Sequence, residues 1–160
     1  MKYIFQDAKN ILNLNEQKYF CVTTNGIIKK NGYAVMGAGI AKIIYDRYPE
    51  TSLQLGKYLT GEYKSEFDYI HFLGKFDSNR ILSFQTKYHW KDNSDIDLIK
   101  KSCKELLSAY ERKYLNHNYP IYLPMPGCQN GKLDIQFVKE NIEPILIKIP
   151  NLFIFNRLTN

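Results

Sequence analysis

An α/β sandwich with a largely parallel sheet flanked by helices is predicted by three observations. Runs rich in β-branched and aromatic residues alternate with helix-like runs along most of the chain. The length of 160 residues suffices for one well-buried core and is too short for two ordinary ones, so residues 1–160 read as one domain. With 44% hydrophobic and 24% charged residues the composition is that of a globular protein, without repeat, low-complexity tract or linker.

Lys2 to Phe5 and Tyr19 to Thr24 are the first two strands, joined by an Asn-rich connection, and the more apolar second one belongs inside the sheet. Two Asn-Gly steps, Asn25-Gly26 and Asn31-Gly32, bound a possible small hairpin. A helix begins at Gly39 and ends near Tyr48, because Pro49 disfavours helical geometry in the residue before it. A second helix from about Glu50 to Leu59 is closed by Thr60-Gly61. Tyr69 to Leu73 and Arg80 to Phe84 are strands around a polar turn. Ile96, Ile99, Cys103, Leu106 and Tyr110 recur at spacings of three and four, the clearest helix of the chain, with Ser94 as its N-cap and Asp97 completing a capping box. Tyr119 to Leu123 is a strand, a helix begins over Asp134 to Glu140, and Leu152 to Phe155 is the last strand.

The chain is organised around Val35-Met36-Gly37-Ala38-Gly39-Ile40, a glycine turn feeding a helix. The first N–H groups of a helix have no internal partner, and the macrodipole leaves about half a positive charge there, which together suit a phosphate. A tight turn that binds nothing is the plain alternative. Gly37-Ala38-Gly39 also resembles half of a dinucleotide fingerprint, but Lys42 stands where that motif needs a small residue, which argues against a dehydrogenase.

In a parallel sheet ligands sit at the carboxyl ends of the strands, and the loops leaving those ends run from Asn25 to Gly39, Gln85 to Asn93 and Pro124 to Lys132. The last of these, with Gly127, Cys128, Gln129, Asn130 and Gly131, can offer backbone N–H groups to a second phosphate or a ribose, although an ordinary Pro/Gly turn would look the same. Lys87, at a strand end beside Tyr88-His89-Trp90, can act as cation, acid or nucleophile, or be simply exposed. Asn25 can reach a ribose hydroxyl, or merely make a turn.

The net charge of +6 points to an acidic partner such as a nucleotide or nucleic acid, with a solvated lysine surface as the commoner cause. Cys21, Cys103 and Cys128 are odd in number and lack zinc-site spacing, so neither disulfide framework nor metal is expected, and a reducing cytoplasm fits. No apolar run reaches the ~18 residues of a membrane span, so no membrane partner is expected.

Taken together, Thr23-Thr24-Asn25-Gly26, Val35 to Ala41, Ser83 to Trp90 with Ser94-Asp95, and Leu123 to Cys128 resemble the successive motifs of macro domains, in particular the DarG / terminal ADP-ribose glycohydrolase-like branch. The resemblance spans about Tyr3 to Phe155. It implies a three-layer α/β/α sandwich with a mixed, largely parallel central sheet, whose crevice takes ADP-ribose with no cofactor. Val35, Met36, Gly37, Ala38, Gly39 and Ile40 would hold the diphosphate and distal ribose, with Asn25 and Thr86 beside that ribose. Pro124, Gly127, Cys128, Gln129, Asn130, Gly131, Lys132 and Leu133 would close over the other side. Asn10 and Ile11 would read the adenine, with Asp7 as fallback, and Phe155 or Asn156 would flank it. Lys87 matches the branch's cleaving lysine. Gly131 stands where the terminal glycohydrolase carries a catalytic aspartate, and the Gly26 to Ala34 insertion and Gln85 also depart from the pattern.

The resulting expectation is a monomeric ADP-ribosylglycohydrolase that releases ADP-ribose from a DNA base or a protein through Lys87. An ADP-ribose 1''-phosphate phosphatase, a non-catalytic binder of ADP-ribose or a derivative, and a plain nucleic-acid binder are the other readings.

Overall fold

In the computed structural model, which describes residues 1–156, the chain runs β1 (Lys2–Phe5), α1 (Ala8–Leu12), β2 (Lys18–Thr24), α2 (Gly39–Arg47), α3 (Glu50–Leu59), β3 (Ile70–Phe76), β4 (Asn79–Gln85), α4 (Ile96–Glu111), β5 (Ile121–Pro124), α5 (Ile135–Leu146) and β6 (Leu152–Asn156). These strands form one six-stranded sheet in the order β1-β6-β5-β2-β4-β3. Every neighbouring pair is parallel except β3 and β4. That exception follows from the connection: Phe76 pairs with Asn79 across a two-residue turn in which Asp77 takes φ +55°, too short for a crossover.

Alternation along β2 builds the layers. Tyr19 and Cys21 face one side with Leu82, Phe84, Ile121 and Leu123, under Ile99, Cys103 and Leu106 of α4 and Val138, Ile142 and Leu146 of α5. Phe20 and Val22 face the other side with Ile81, Tyr122 and Phe155, under Ile11, Ile40, Ile44 and Leu55 of α1, α2 and α3. Successive strand residues point to opposite faces, so a continuous apolar run requires cover on both. The result is the expected three-layer α/β/α sandwich with β2 inside the sheet.

Three local readings change. The Asn-rich connection after β1 contains helix α1, capped by Asp7, whose Oδ1 accepts from Lys9 N at 2.8 Å. The cap of α4 is Asp95 rather than Ser94: Asp95 Oδ1 accepts from Asp97 N and Leu98 N at 2.9 and 3.2 Å, while Ser94 is turned inward and buried. Helix α5 continues through Pro144 to Leu146, because Ile142 and Leu146 are wholly buried against the sheet.

The segment after β2 folds back on itself through an antiparallel bridge between Ile28 and Ala34. Helix α3 pins it, with Ser52 Oγ donating to Ala34 O at 2.8 Å and Ala34 N donating to Ser52 O at 2.9 Å. Gly56 permits this approach, since a β-carbon there would run into the carbonyl of Gly32.

Candidate functional site

The carboxyl ends of β2, β4, β5 and β6 open into a cavity of about 500 Å³. All three loops marked in the sequence line it, and they enter from both helical layers of the sandwich.

One wall is Asn25, Val35, Gly37, Ala38, Gly39, Ile40 and Ala41. The residue at the α2 N-cap is Ala38, which has no side chain to offer, so the first N–H groups of the helix lack a capping partner. Gly39 takes φ +58° at the turn, and a β-carbon on Gly37 would meet nothing within 4 Å, so the backbone here is bare toward the cavity. Asn25 closes its own loop: its Nδ2 donates to Val35 O at 3.2 Å and its Oδ1 accepts from Ile27 N at 2.9 Å. Met36 points away into the core and is 4% exposed.

The opposite wall is Pro124, Met125, Gly127, Cys128, Gln129, Asn130 and Gly131. Leu133 N donates to Gly127 O at 2.8 Å and Lys132 N to Gln129 O at 3.0 Å, which curls the loop into a tight arch. Gly127 takes φ +79°, and a β-carbon on it would press into Ile99 and Leu133. Lys132 and Leu133 hold the arch but do not line the cavity; Leu133 packs on the core. Partial burial and the nearby Asp134 carboxylate push the Cys128 thiol up to about 11.

The β4 end of the cavity carries Thr86, Lys87, Trp90 and Ser94. Lys87 Nζ donates to the carbonyls of Trp90 at 3.3 Å and Asp92 at 3.2 Å, so the loop around it holds the amino group in place. Thr86 N donates to Thr24 O, Asp95 N to Thr86 O and Ser94 N to Gly131 O, at 3.0, 2.9 and 3.0 Å, which ties the three loops together. His89 is not part of the lining; its Nδ1 accepts from Lys91 N at 3.1 Å.

At the β6 end lie Phe155 and Asn156, the Phe155 ring resting against Phe20 at 5.6 Å between centroids. Asn10 and Ile11 lie outside the lining: Asn10 is exposed and donates to Gln6 Oε1 at 3.0 Å, and Ile11 is buried in the core. Asp7, the fallback, is occupied with its helix cap.

Thr23, Thr24, Ala41, Met125, Trp90 and Ser94 line the cavity without having been singled out as site residues. The first four follow from the topology, since each flanks a strand end or glycine turn that was singled out. Ser94 was hidden by reading it as a helix cap.

Among the described residues, Lys87 is the only charged side chain in the lining, and no carboxylate faces the cavity. A helix N-terminus, two backbone-rich turns and one lysine make a place for an elongated anion. Among the described residues, no group of three His, Cys, Asp or Glu is placed to hold a metal ion, and no helix is long and apolar enough to cross a membrane.

No protein-family model matches the sequence, and no curated protein sequence does. Solved structures do match. The macrodomain of Mycobacterium tuberculosis DarG is 22% identical with a TM-score of 0.73, covering 98% of this chain and 98% of its own. The macrodomain of Thermus aquaticus DarG is 20% identical, also at 0.73, over 99% and 97%. Thermosipho africanus DarTG, solved in complex with ADP-ribose, is 21% identical at 0.71 over 89% of this chain and 38% of that one. Such similarity shows that the fold of this chain is that of the macrodomains.

Proposed function

We propose that this protein binds ADP-ribose and removes it from a macromolecular acceptor, with Lys87 as the catalytic residue. The observation that carries this reading is the cavity itself. The uncapped α2 turn at Gly37–Ile40 faces the glycine arch at Gly127–Gly131, and Lys87 stands at one end while Phe155 and Asn156 stand at the other. An ADP-ribose fits that order of chemistry, with adenine at the β6 end beside Asn156, the diphosphate between the two backbone turns, and the terminal ribose toward Lys87. The complex of Thermosipho africanus DarTG with ADP-ribose, a structure of the same fold, supports the choice of ligand.

In the proposed reaction, Lys87 delivers a proton to the departing acceptor as the bond from the anomeric carbon to that acceptor breaks. Water adds its oxygen to the anomeric carbon and its surplus proton returns to the Lys87 amine, so the residue ends as it began. The two carbonyls on Nζ fix its position through the cycle. The chain's excess positive charge favours DNA among possible acceptors. A monomer acting in the cytoplasm completes the reading.

The test is incubation with ADP-ribosylated thymidine DNA and with ester-linked ADP-ribosyl protein. Release of ADP-ribose by the wild type and not by Lys87→Ala supports the reading. Absence of release from both, under conditions where a known hydrolase works, overturns the hydrolase claim for these acceptors.

One observation favours a second reading, a non-catalytic ADP-ribose binder: among the described residues no carboxylate reaches the cavity to activate water. It predicts calorimetric binding without turnover. A phosphatase acting on ADP-ribose 1''-phosphate would instead release phosphate whether or not Lys87 is present.

A further inference from the structure

The β4 end of the cavity contains one polar side chain that the fold does not use. Ser94 is 7% exposed and lines the cavity. Its backbone is committed, with N donating to Gly131 O at 3.0 Å. Its hydroxyl has no hydrogen-bond partner among the described residues, unlike Ser102 in the same region, whose Oγ donates to Gln85 O at 2.6 Å. A hydroxyl of a buried residue that lines the cavity without a protein partner is available to whatever fills that cavity.

The position of this hydroxyl gives it a particular role. A β-carbon built on Gly131 would collide with Ser94 Oγ and would lie 2.6 Å from Gly127 O. Residue 131 therefore must be glycine here, and the space that a side chain at 131 would enter is held by the Ser94 hydroxyl. The neighbouring residues of the lining are Thr86 and Lys87, from the loop that ends at Ser94. In this chain the polar group at that point comes from the loop just ahead of α4.

We infer that Ser94 Oγ hydrogen-bonds a hydroxyl of the terminal ribose at the Lys87 end of the cavity and so sets specificity for ADP-ribose over ligands that stop at the diphosphate. This rests on the proposed ADP-ribose site. A serine hydroxyl suits the task because it donates and accepts at once, and matches a sugar hydroxyl without adding charge.

Calorimetry with ADP-ribose and with ADP, on the wild type, Ser94→Ala and Ser102→Ala, tests it. Ser94→Ala should weaken ADP-ribose binding about 5-fold, the loss of one neutral hydrogen bond, while changing ADP binding less than about 2-fold and leaving the melting temperature near that of the wild type. Ser102→Ala should melt earlier and keep the wild-type preference between the two ligands. Equal losses for ADP-ribose and ADP in Ser94→Ala, or no loss for either, overturn the assignment while the site itself stands. A wild type that binds neither ligand overturns the site, and the assignment with it.

Discussion

The imidazole of His71 lies flat on the ring of Tyr58, centroids 4.3 Å apart and planes 9° from parallel. This contact joins β3 to α3. His71 Nε2 is 3.2 Å from Asp68 O, and its Nδ1 is buried without a partner. Burial pulls the His71 pKa below its usual value, and the Asp68 carbonyl and carboxylate only partly offset this. The neutral ring is therefore the form the fold favours. Its stabilising contribution is complete above the unfolded histidine value of about 6.5 and is lost as pH falls through the lower folded value. His71→Phe, which keeps the stack and removes the titration, should lose less stability than the wild type between pH 7 and pH 5. Denaturant midpoints at several pH values check this, and parallel pH curves for the two proteins would refute it.

Gly131→Asp should cost about 1 to 3 kcal/mol and should not improve activity. Any β-carbon at 131 meets the Ser94 hydroxyl and the Gly127 carbonyl, and the second of these is backbone that cannot swing aside. Urea denaturation measures the cost. A variant as stable as the wild type and more active would show that the arch is looser than its hydrogen bonds imply.

Lys87→Ala should reduce release of ADP-ribose by about 100-fold or more, the scale of a lost general acid, while ADP-ribose affinity changes only a few-fold. Among the described residues its amino group bonds only to carbonyls of its own loop, so the global fold should survive the change. Turnover rates and calorimetry on the same preparation separate the two effects, and unaltered turnover would remove Lys87 from the mechanism.

Cys128 should react slowly with iodoacetamide at pH 8. With its thiol pushed up to about 11, against an ordinary value near 9, the reactive thiolate is about 100-fold scarcer. ADP-ribose in the cavity should slow labelling further, because the residue lines one wall. Mass spectrometry of labelled peptides with and without ligand provides the measurement.

Glu105→Gln should destabilise by about 1 to 3 kcal/mol. The Glu105 carboxylate on α4 accepts from Asp68 N, Tyr69 N and Ile70 N at 3.0, 2.7 and 3.1 Å, anchoring the start of the edge strand β3. An amide in its place turns an N–H toward other N–H groups and leaves at least one of them unpaired. Chemical denaturation checks the size of the loss.

Long elements with strong periodicity were legible in the sequence. The α4 stripe from Ile96 to Tyr110 and the apolar run of β2 announced their partners, and strand–helix alternation carried the parallel sheet. Helix α1 was not legible, because Ala8–Leu12 is too short to show a period and only Asp7 marks its start. At α4, two cap-type residues stand side by side, and which of them caps depends on burial that only the packed arch decides. For the cavity, glycine turns and strand ends located both walls. Asn25 was visible as a polar loop residue, but that its amide is spent on Val35 and Ile27 is a tertiary fact. Asn10 and Ile11 read as binding residues only through resemblance, and the short helix that carries them leaves one in solvent and the other in the core.

The two walls of the cavity belong to different helical layers, α2 on one side of the sheet and the arch before α5 on the other. Whatever lies between them works as a clasp across the rim, fastening together two slabs that are otherwise joined through the strands and the few loop contacts at their ends. Occupancy should therefore slow hydrogen exchange on both outer surfaces at once, including amides that the guest never touches.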